Sequence, residues 1–130
     1  MSEQYKVLMI EDEKDIIYSL AQVFENFKHI KFIGAESALQ GIELAKVERP
    51  GVILLDLHMP RMGGEEALAE LKGLLPEAKF IIMTGWEDGE TKQRIESIGV
   101  EAYFSKPMDL EKLVTKIIYL LMIKDEVRNG

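Results

Sequence analysis

Three runs, YKVLMI (Tyr5–Ile10), VILLD (Val52–Asp56) and KFIIMT (Lys79–Thr84), are apolar almost without interruption, and VILLD leads straight into a carboxylate. A strand with one wet face alternates apolar and polar residues, whereas a strand covered on both faces reads as a continuous apolar stretch. Runs of this length fall far short of the ~20 residues of a membrane span. A chain that carries three of them is expected to fold as a sheet held between layers of helices. The segments between the runs have the spacing to supply those helices.

From Lys14 on, Ile16, Ile17, Leu20, Phe24 and Phe27 recur at helical intervals. KFIGAE (Lys31–Glu36) is a weaker second strand. Ser37 is placed to cap a second helix carrying Leu39, Ile42 and Val47, closed by RPG at Arg49–Gly51. Gly63 and Gly64 precede a third helix with Leu68, Leu71 and Leu75, stopped at Pro76. Gly85–Gly89 is a loop, followed by a polar fourth helix that turns only Ile95 and Ile98 inward. AYF (Ala102–Phe104) is a fifth strand, and Asp109 caps a last helix that begins at Leu110. Strands alternating with helices in this way predict one α/β domain, a parallel sheet with right-handed crossovers; the arrangement expected for it is the flavodoxin-like one, a doubly wound five-stranded parallel sheet (order 2-1-3-4-5) with five helices. The domain is expected over residues 1–124, with 125–130 as a tail or the start of a linker.

Composition narrows the chemistry. The 130 residues are 47% apolar and 30% charged, the balance of one globular domain. No cysteine is present, which excludes disulfides, zinc knuckles and thiol catalysis. The two histidines, His29 and His58, are far apart in sequence, which disfavours a His-based transition-metal site. A net charge of −7 argues against gripping nucleic-acid phosphates or anionic membranes. The N-terminal apolar patch is too short to be a signal peptide. The expectation is a soluble cytoplasmic protein with no direct nucleic-acid binding and no membrane association.

In a doubly wound sheet the site lies at the carboxyl ends of the strands, where strand order reverses, here between strands one and three. Strand one runs into Glu11, Asp12 and Glu13; strand three ends on Asp56; strand four ends on Thr84; strand five is followed by Ser105, Lys106 and Pro107. Singly, each has an ordinary role: acids after a strand cap the next helix, and Glu11 to Glu13 can do that and no more. Together they gather at one sheet edge. Like charges ~4 Å apart repel by about 4 kcal/mol at an effective dielectric of 20, so Glu11, Asp12 and Asp56 call for cations. Lys106 supplies one, and a hard divalent cation with oxygen ligands, Mg²⁺, suits the rest. An Asp beside Mg²⁺ and a lysine is set up to accept a phosphoryl group.

With those motifs in order, Glu11-Asp12, LLDLHMPRMGG around Asp56, MTG at Thr84 and AYFSKP at Tyr103–Pro107, the chain resembles the receiver domain of two-component response regulators from about Tyr5 to about Met122. The resemblance implies that Asp56 is the phosphoacceptor. Glu11, Asp12, Asp56 and the backbone carbonyl of His58 would hold Mg²⁺. Lys106 would pair with the phosphoryl group, Thr84 would be the switch hydroxyl and Tyr103 the aromatic that follows it. The Lys106–Pro107 peptide bond would be cis. The domain would take its phosphoryl group from a sensor histidine kinase or a histidine phosphotransfer protein, hydrolyse it slowly without being a dedicated enzyme, and signal to an effector or output domain.

Several positions depart from the family pattern. The first acid is Glu11 where the family often has Asp, and Gly63 replaces the acid usual before the glycine of the loop. His58 and Trp86 occupy the two places that flank the phosphoryl group. His58 either shields the site, positions water, or is an exposed loop side chain. Trp86 either restricts the attacking water or is a partly exposed aromatic without a kinetic role. On the last helix, Leu110, Leu113, Val114, Ile117 and Leu121 form an inward face, while Tyr119 and Ile123 fall near the opposite side. Those two mark a candidate docking or homodimer surface made with the fourth helix and fifth strand. No DNA-binding domain is expected after the last helix, and the chain reads as a stand-alone receiver or one cut from a longer regulator.

Three rivals are weighed. A haloacid-dehalogenase-like phosphatase needs an acid two residues after the nucleophile, where His58 stands. A flavin or nucleotide binder wants a Gly- or Ser/Thr-rich loop after strand one, where EDEKD stands. A phosphorylation-independent interaction module on the same fold is kept open by Glu11.

Overall fold

A computed structural model describes residues 4–85 and 89–123. In chain order the elements are β1 (Tyr5–Ile10), α1 (Lys14–Phe24), β2 (Ile30–Ala35), α2 (Ala38–Glu48), β3 (Val52–Asp56), α3 (Gly64–Leu74), β4 (Lys79–Thr84), α4 (Gly89–Ile98), β5 (Ala102–Ser105) and α5 (Leu110–Met122). The strands form one parallel five-stranded sheet in the order β2-β1-β3-β4-β5. The expected tail at 125–130 lies outside the described residues.

Alternation along the strands explains why they read as continuous apolar runs. Leu8, Ile10, Ile53, Leu55, Phe80 and Ile82 project to one face, where they pack with residues of α2, α3 and α4. Val7, Met9, Val52, Leu54, Ile81 and Met83 project to the other, against Leu20 and Phe24 of α1 and Leu113, Ile117 and Leu120 of α5. The pleat sends successive side chains to opposite faces, so a sheet buried on both needs an apolar residue at every position. Ser37 Oγ accepts the Gln40 N–H at 3.1 Å, and Asp109 Oδ1 accepts the Lys112 N–H at 3.2 Å, so both expected helix caps form.

The structure corrects the expected faces of several helices. On α2, Leu39 and Val47 are exposed, and the buried stripe is Ala38, Gly41, Ile42 and Ala45. That i, i+3, i+4, i+7 set is small, which lets α2 lie close on β1: a Cβ on Gly41 would collide with Ile10 Cδ1. On α4, Ile95 is fully buried but Ile98 is exposed. On α5, Leu110 is exposed and Leu120 takes an inward place. The second strand starts one residue earlier than expected and the fifth extends one residue further, to Ser105.

Candidate functional site

The switch point falls between β1 and β3, and the polar ends of four strands meet beside it. Asp56 ends β3 and is 1% exposed, while Glu11, directly after β1, and Thr84, which ends β4, are fully buried. Each is held by the backbone that carries it. The Glu11 N–H donates to the Ala35 carbonyl at 2.9 Å, extending the β1–β2 ladder by one residue. The Leu57 N–H donates to the Met83 carbonyl at 2.9 Å and the Lys106 N–H to the Thr84 carbonyl at 2.7 Å. These ladder bonds fix the backbone positions from which the carboxylates and the ammonium project.

Lys106 is the hub. Its Nζ donates to Glu11 Oε2 at 3.0 Å, Glu13 Oε1 at 2.9 Å and Asp56 Oδ2 at 3.2 Å. Asp56 Oδ1 accepts the His58 N–H at 3.0 Å, and Glu11 Oε2 also accepts the Glu13 N–H at 3.0 Å. Glu11 Oε1 stands 2.8 Å from Nζ as an ion contact but is not aligned for a hydrogen bond, and it is shielded from solvent. Burial pushes the Glu11 carboxyl up to about 7; hydrogen bonds from Lys106 and the Glu13 backbone pull against that, and the Asp56 charge adds to it. Partial burial works against the Lys106 charge, but Glu11, Glu13 and Asp56 outweigh it and hold the ammonium above its ordinary range. Lys106 therefore stays charged, while burial favours the protonated form of Glu11.

Glu11, Asp12 and Asp56 each bring an oxygen within 4.8 Å of the others. Asp12 is exposed, so the cluster opens to solvent on one side. A buried oxygen without a directed hydrogen bond, inside an all-carboxylate set, fits a hard divalent cation of Mg²⁺ type. Asp12 and Asp56 line an open cavity of about 360 Å³ with Glu13, His58, Gly85 and Lys106, and Glu11 lies buried behind them. A cavity of similar size, about 400 Å³, lies at the opposite end of the sheet around Lys6, Glu48, Arg49 and Lys79. Size alone does not pick the site; the buried acids do.

The remaining expected residues sort clearly. Tyr103 pairs with Ile82 in the β4–β5 ladder, so it shares a sheet face with Thr84. Its ring packs on that face's apolar cluster, with Lys92 Nζ 5.2 Å from the ring centroid. The His58 side chain is exposed, and the Lys106–Pro107 bond is cis. Trp86 lies outside the described residues. Tyr119 is exposed as expected, but Ile123 is not: it follows the end of α5 in extended backbone and packs against the cluster shared by α1 and α5. Helical spacing placed Ile123 outward, and the helix stops before that spacing applies. Sequence reasoning also missed Glu13. It is the N-cap residue of α1, yet its side chain makes no cap bond and reaches Lys106 instead. The acid run after β1 was its only signal, because the partner is 93 residues away.

A doubly wound domain with buried acids after β1 and at the end of β3, tied to a lysine after β5, is built as a receiver. The chain belongs to the response regulator receiver domain family, whose model matches residues 7–118. It is 29% identical over 119 residues to sporulation initiation phosphotransferase F of Bacillus subtilis, covering 92% of this chain and 95% of that protein. It is 30% identical over 112 residues to the cell cycle response regulator CtrA of Brucella ovis, and 27% over 113 residues to the response regulator GacA of Pseudomonas aeruginosa. The chain spans about half the length of those two regulators, 48% and 53%. The crystal structure of a CheY-like response regulator receiver domain protein from Methanospirillum hungatei superposes with a TM-score of 0.87 at 27% identity, covering 98% of this chain and all of that one. Among the described residues no helix is long and apolar enough to cross a membrane.

Proposed function

We propose that the chain is a phosphorylation-driven switch whose acceptor is Asp56. The observation that carries this is the buried Asp56 carboxylate, held by the His58 N–H on one oxygen and by Lys106 on the other, at 3.0 and 3.2 Å. Asp56 attacks the phosphorus of a phosphohistidine donor, the P–N bond breaks, and the imidazole nitrogen leaves with the electron pair. Lys106 neutralises charge on the transferring group. Glu11, Asp12 and Asp56 would hold Mg²⁺, which when bound supplies further charge neutralisation at the phosphoryl oxygens. The donor is a sensor histidine kinase or phosphotransfer protein, and the name of the Bacillus relative, a phosphotransferase, supports a role in group transfer.

The acyl phosphate adds about −1.5 to −2 charges. Thr84 turns toward it and Tyr103 follows, shifting the population of the α4–β5–α5 surface. That surface, with the exposed Tyr119, would meet an effector, an output domain or a second copy. Slow hydrolysis resets the switch, and the setting is cytoplasmic.

The test is intact mass after incubation with acetyl phosphate and Mg²⁺, for wild type beside Asp56→Ala. A single Mg²⁺-dependent phosphoryl adduct in the wild type alone is expected. No adduct in either protein, with no Mg²⁺ response of Trp86 fluorescence, would leave a receiver fold acting only as a binding surface.

A further inference from the structure

Lys106 does not face Asp56 alone. An ammonium has three N–H donors, and here each is taken by a different carboxylate: Glu11, Glu13 and Asp56, with Asp56 the longest contact at 3.2 Å. Two of those acids are buried and fixed by backbone. Glu13 differs: its side chain is 60% exposed, sits just outside the first turn of α1, and does not cap that helix. Glu13, Gly85 and Lys106 also line a second cavity of about 460 Å³ walled by Ile16, Met108 and Leu110. The Glu13–Lys106 pair thus stands between the acid cavity and this more apolar neighbour.

We propose that Glu13 is a positioning residue that competes with the phosphoryl group for Lys106; this rests on Asp56 being the acceptor. In transfer from acetyl phosphate, an Asp56 oxygen bonds to phosphorus, the P–O bond to the acetyl group breaks, and acetate leaves with the electron pair. The phosphoryl oxygens need an N–H of Lys106. Glu13 occupies one and adds a negative charge where an anion must enter. Of the three carboxylates it is the one that can let go, because water can solvate it where it stands. Its release frees a donor of Lys106 for the phosphoryl group and parts the wall between the two cavities.

The test compares wild type with Glu13→Gln, which keeps the shape and removes the charge. Initial rates of Asp56 phosphorylation are followed by intact mass and Trp86 fluorescence at fixed Mg²⁺, with acetyl phosphate and with the less charged donor phosphoramidate. The variant is expected to react about three- to tenfold faster with acetyl phosphate, a charge effect, and to gain less with phosphoramidate. Both gains should shrink toward unity at about 0.5 M salt, where screening shortens the reach of charge. Thermal midpoints should match, since Glu13 is exposed. Equal rates for the two proteins, or a gain that ignores salt and donor charge, would overturn the proposal while leaving Asp56 as the acceptor. A wild type that gains no phosphoryl mass would overturn the acceptor assignment and this proposal with it.

Discussion

Glu11 is fully buried within reach of Asp56, and its charge depends on what surrounds it. Burial moves its carboxyl from 4.5 to about 7. Between those values the folded protein holds a proton that the unfolded chain has lost. Stability from this group is therefore full below pH 4.5, falls as pH rises, and is lost once pH passes about 7. In EDTA, the urea midpoint of wild type minus that of Glu11→Gln should fall between pH 5 and 8; a flat difference would mean Glu11 titrates normally. Lys106 acts in the opposite sense. Lys106→Ala leaves Glu11 and Asp56 buried without their ammonium, and a charged hydrogen bond of this kind contributes roughly 1.5–3 kcal/mol. The loss should be larger at pH 8 than at pH 5, where Glu11 relieves the strain by taking up a proton. Urea melts of the variant at the two pH values check this.

The loop between β3 and α3 shows how an element positions the site through two adjacent glycines with opposite tolerances. A Cβ on Gly64 would lie 2.5 Å from Leu57 Cα, a backbone atom next to Asp56. Gly64→Ala must push that backbone, and overpacking of this sort costs roughly 1–3 kcal/mol. It should also slow phosphoryl transfer, because the displaced residue follows Asp56, the proposed acceptor. Gly63 has no atom within 4 Å of such a Cβ, and its φ of −70° and ψ of 155° suit any residue. It is the N-cap of α3 and provides no side-chain cap. Gly63→Ser should therefore stabilise the fold by about 0.5–1 kcal/mol through capping and a stiffer unfolded chain. Serine is preferable to aspartate because Glu65 and Glu66 already load the first turn with negative charge. Thermal melts of both variants decide the pair, and equal midpoints would show that this loop yields more than its contacts suggest.

For the whole molecule, a cation held by Glu11, Asp12 and Asp56 would couple its binding to folding. The three acids lie on two strand-end segments that are far apart in sequence, so the unfolded chain cannot present the set. Mg²⁺ at ten times its Kd should add about 1.4 kcal/mol, a rise of roughly 5 °C in Tm for a domain of this size. EDTA should reverse the rise, and Asp12→Ala should abolish it. A rise that survives in Asp12→Ala would place the cation elsewhere.

Strand positions, the parallel sheet and the edge carrying the acids were legible in the chain because each depends on local pattern: unbroken apolar runs, helical spacing between them, and a polar residue where each run stops. Asp56, Thr84 and Lys106 could be placed together for that reason alone. Whatever depends on how elements pack was not legible. The inward stripe of α2 is Ala38, Gly41, Ile42 and Ala45, because close approach to β1 favours small residues over the larger Leu39 and Val47. Ile123 turns inward because α5 ends before it. Glu13 meets Lys106 because its side chain leaves the α1 cap position and turns to the ammonium, a choice between two partners that strand ends and spacing do not encode. Periodicity reports which face of an element is apolar; only the packed fold decides which faces meet and which charges must share one ammonium.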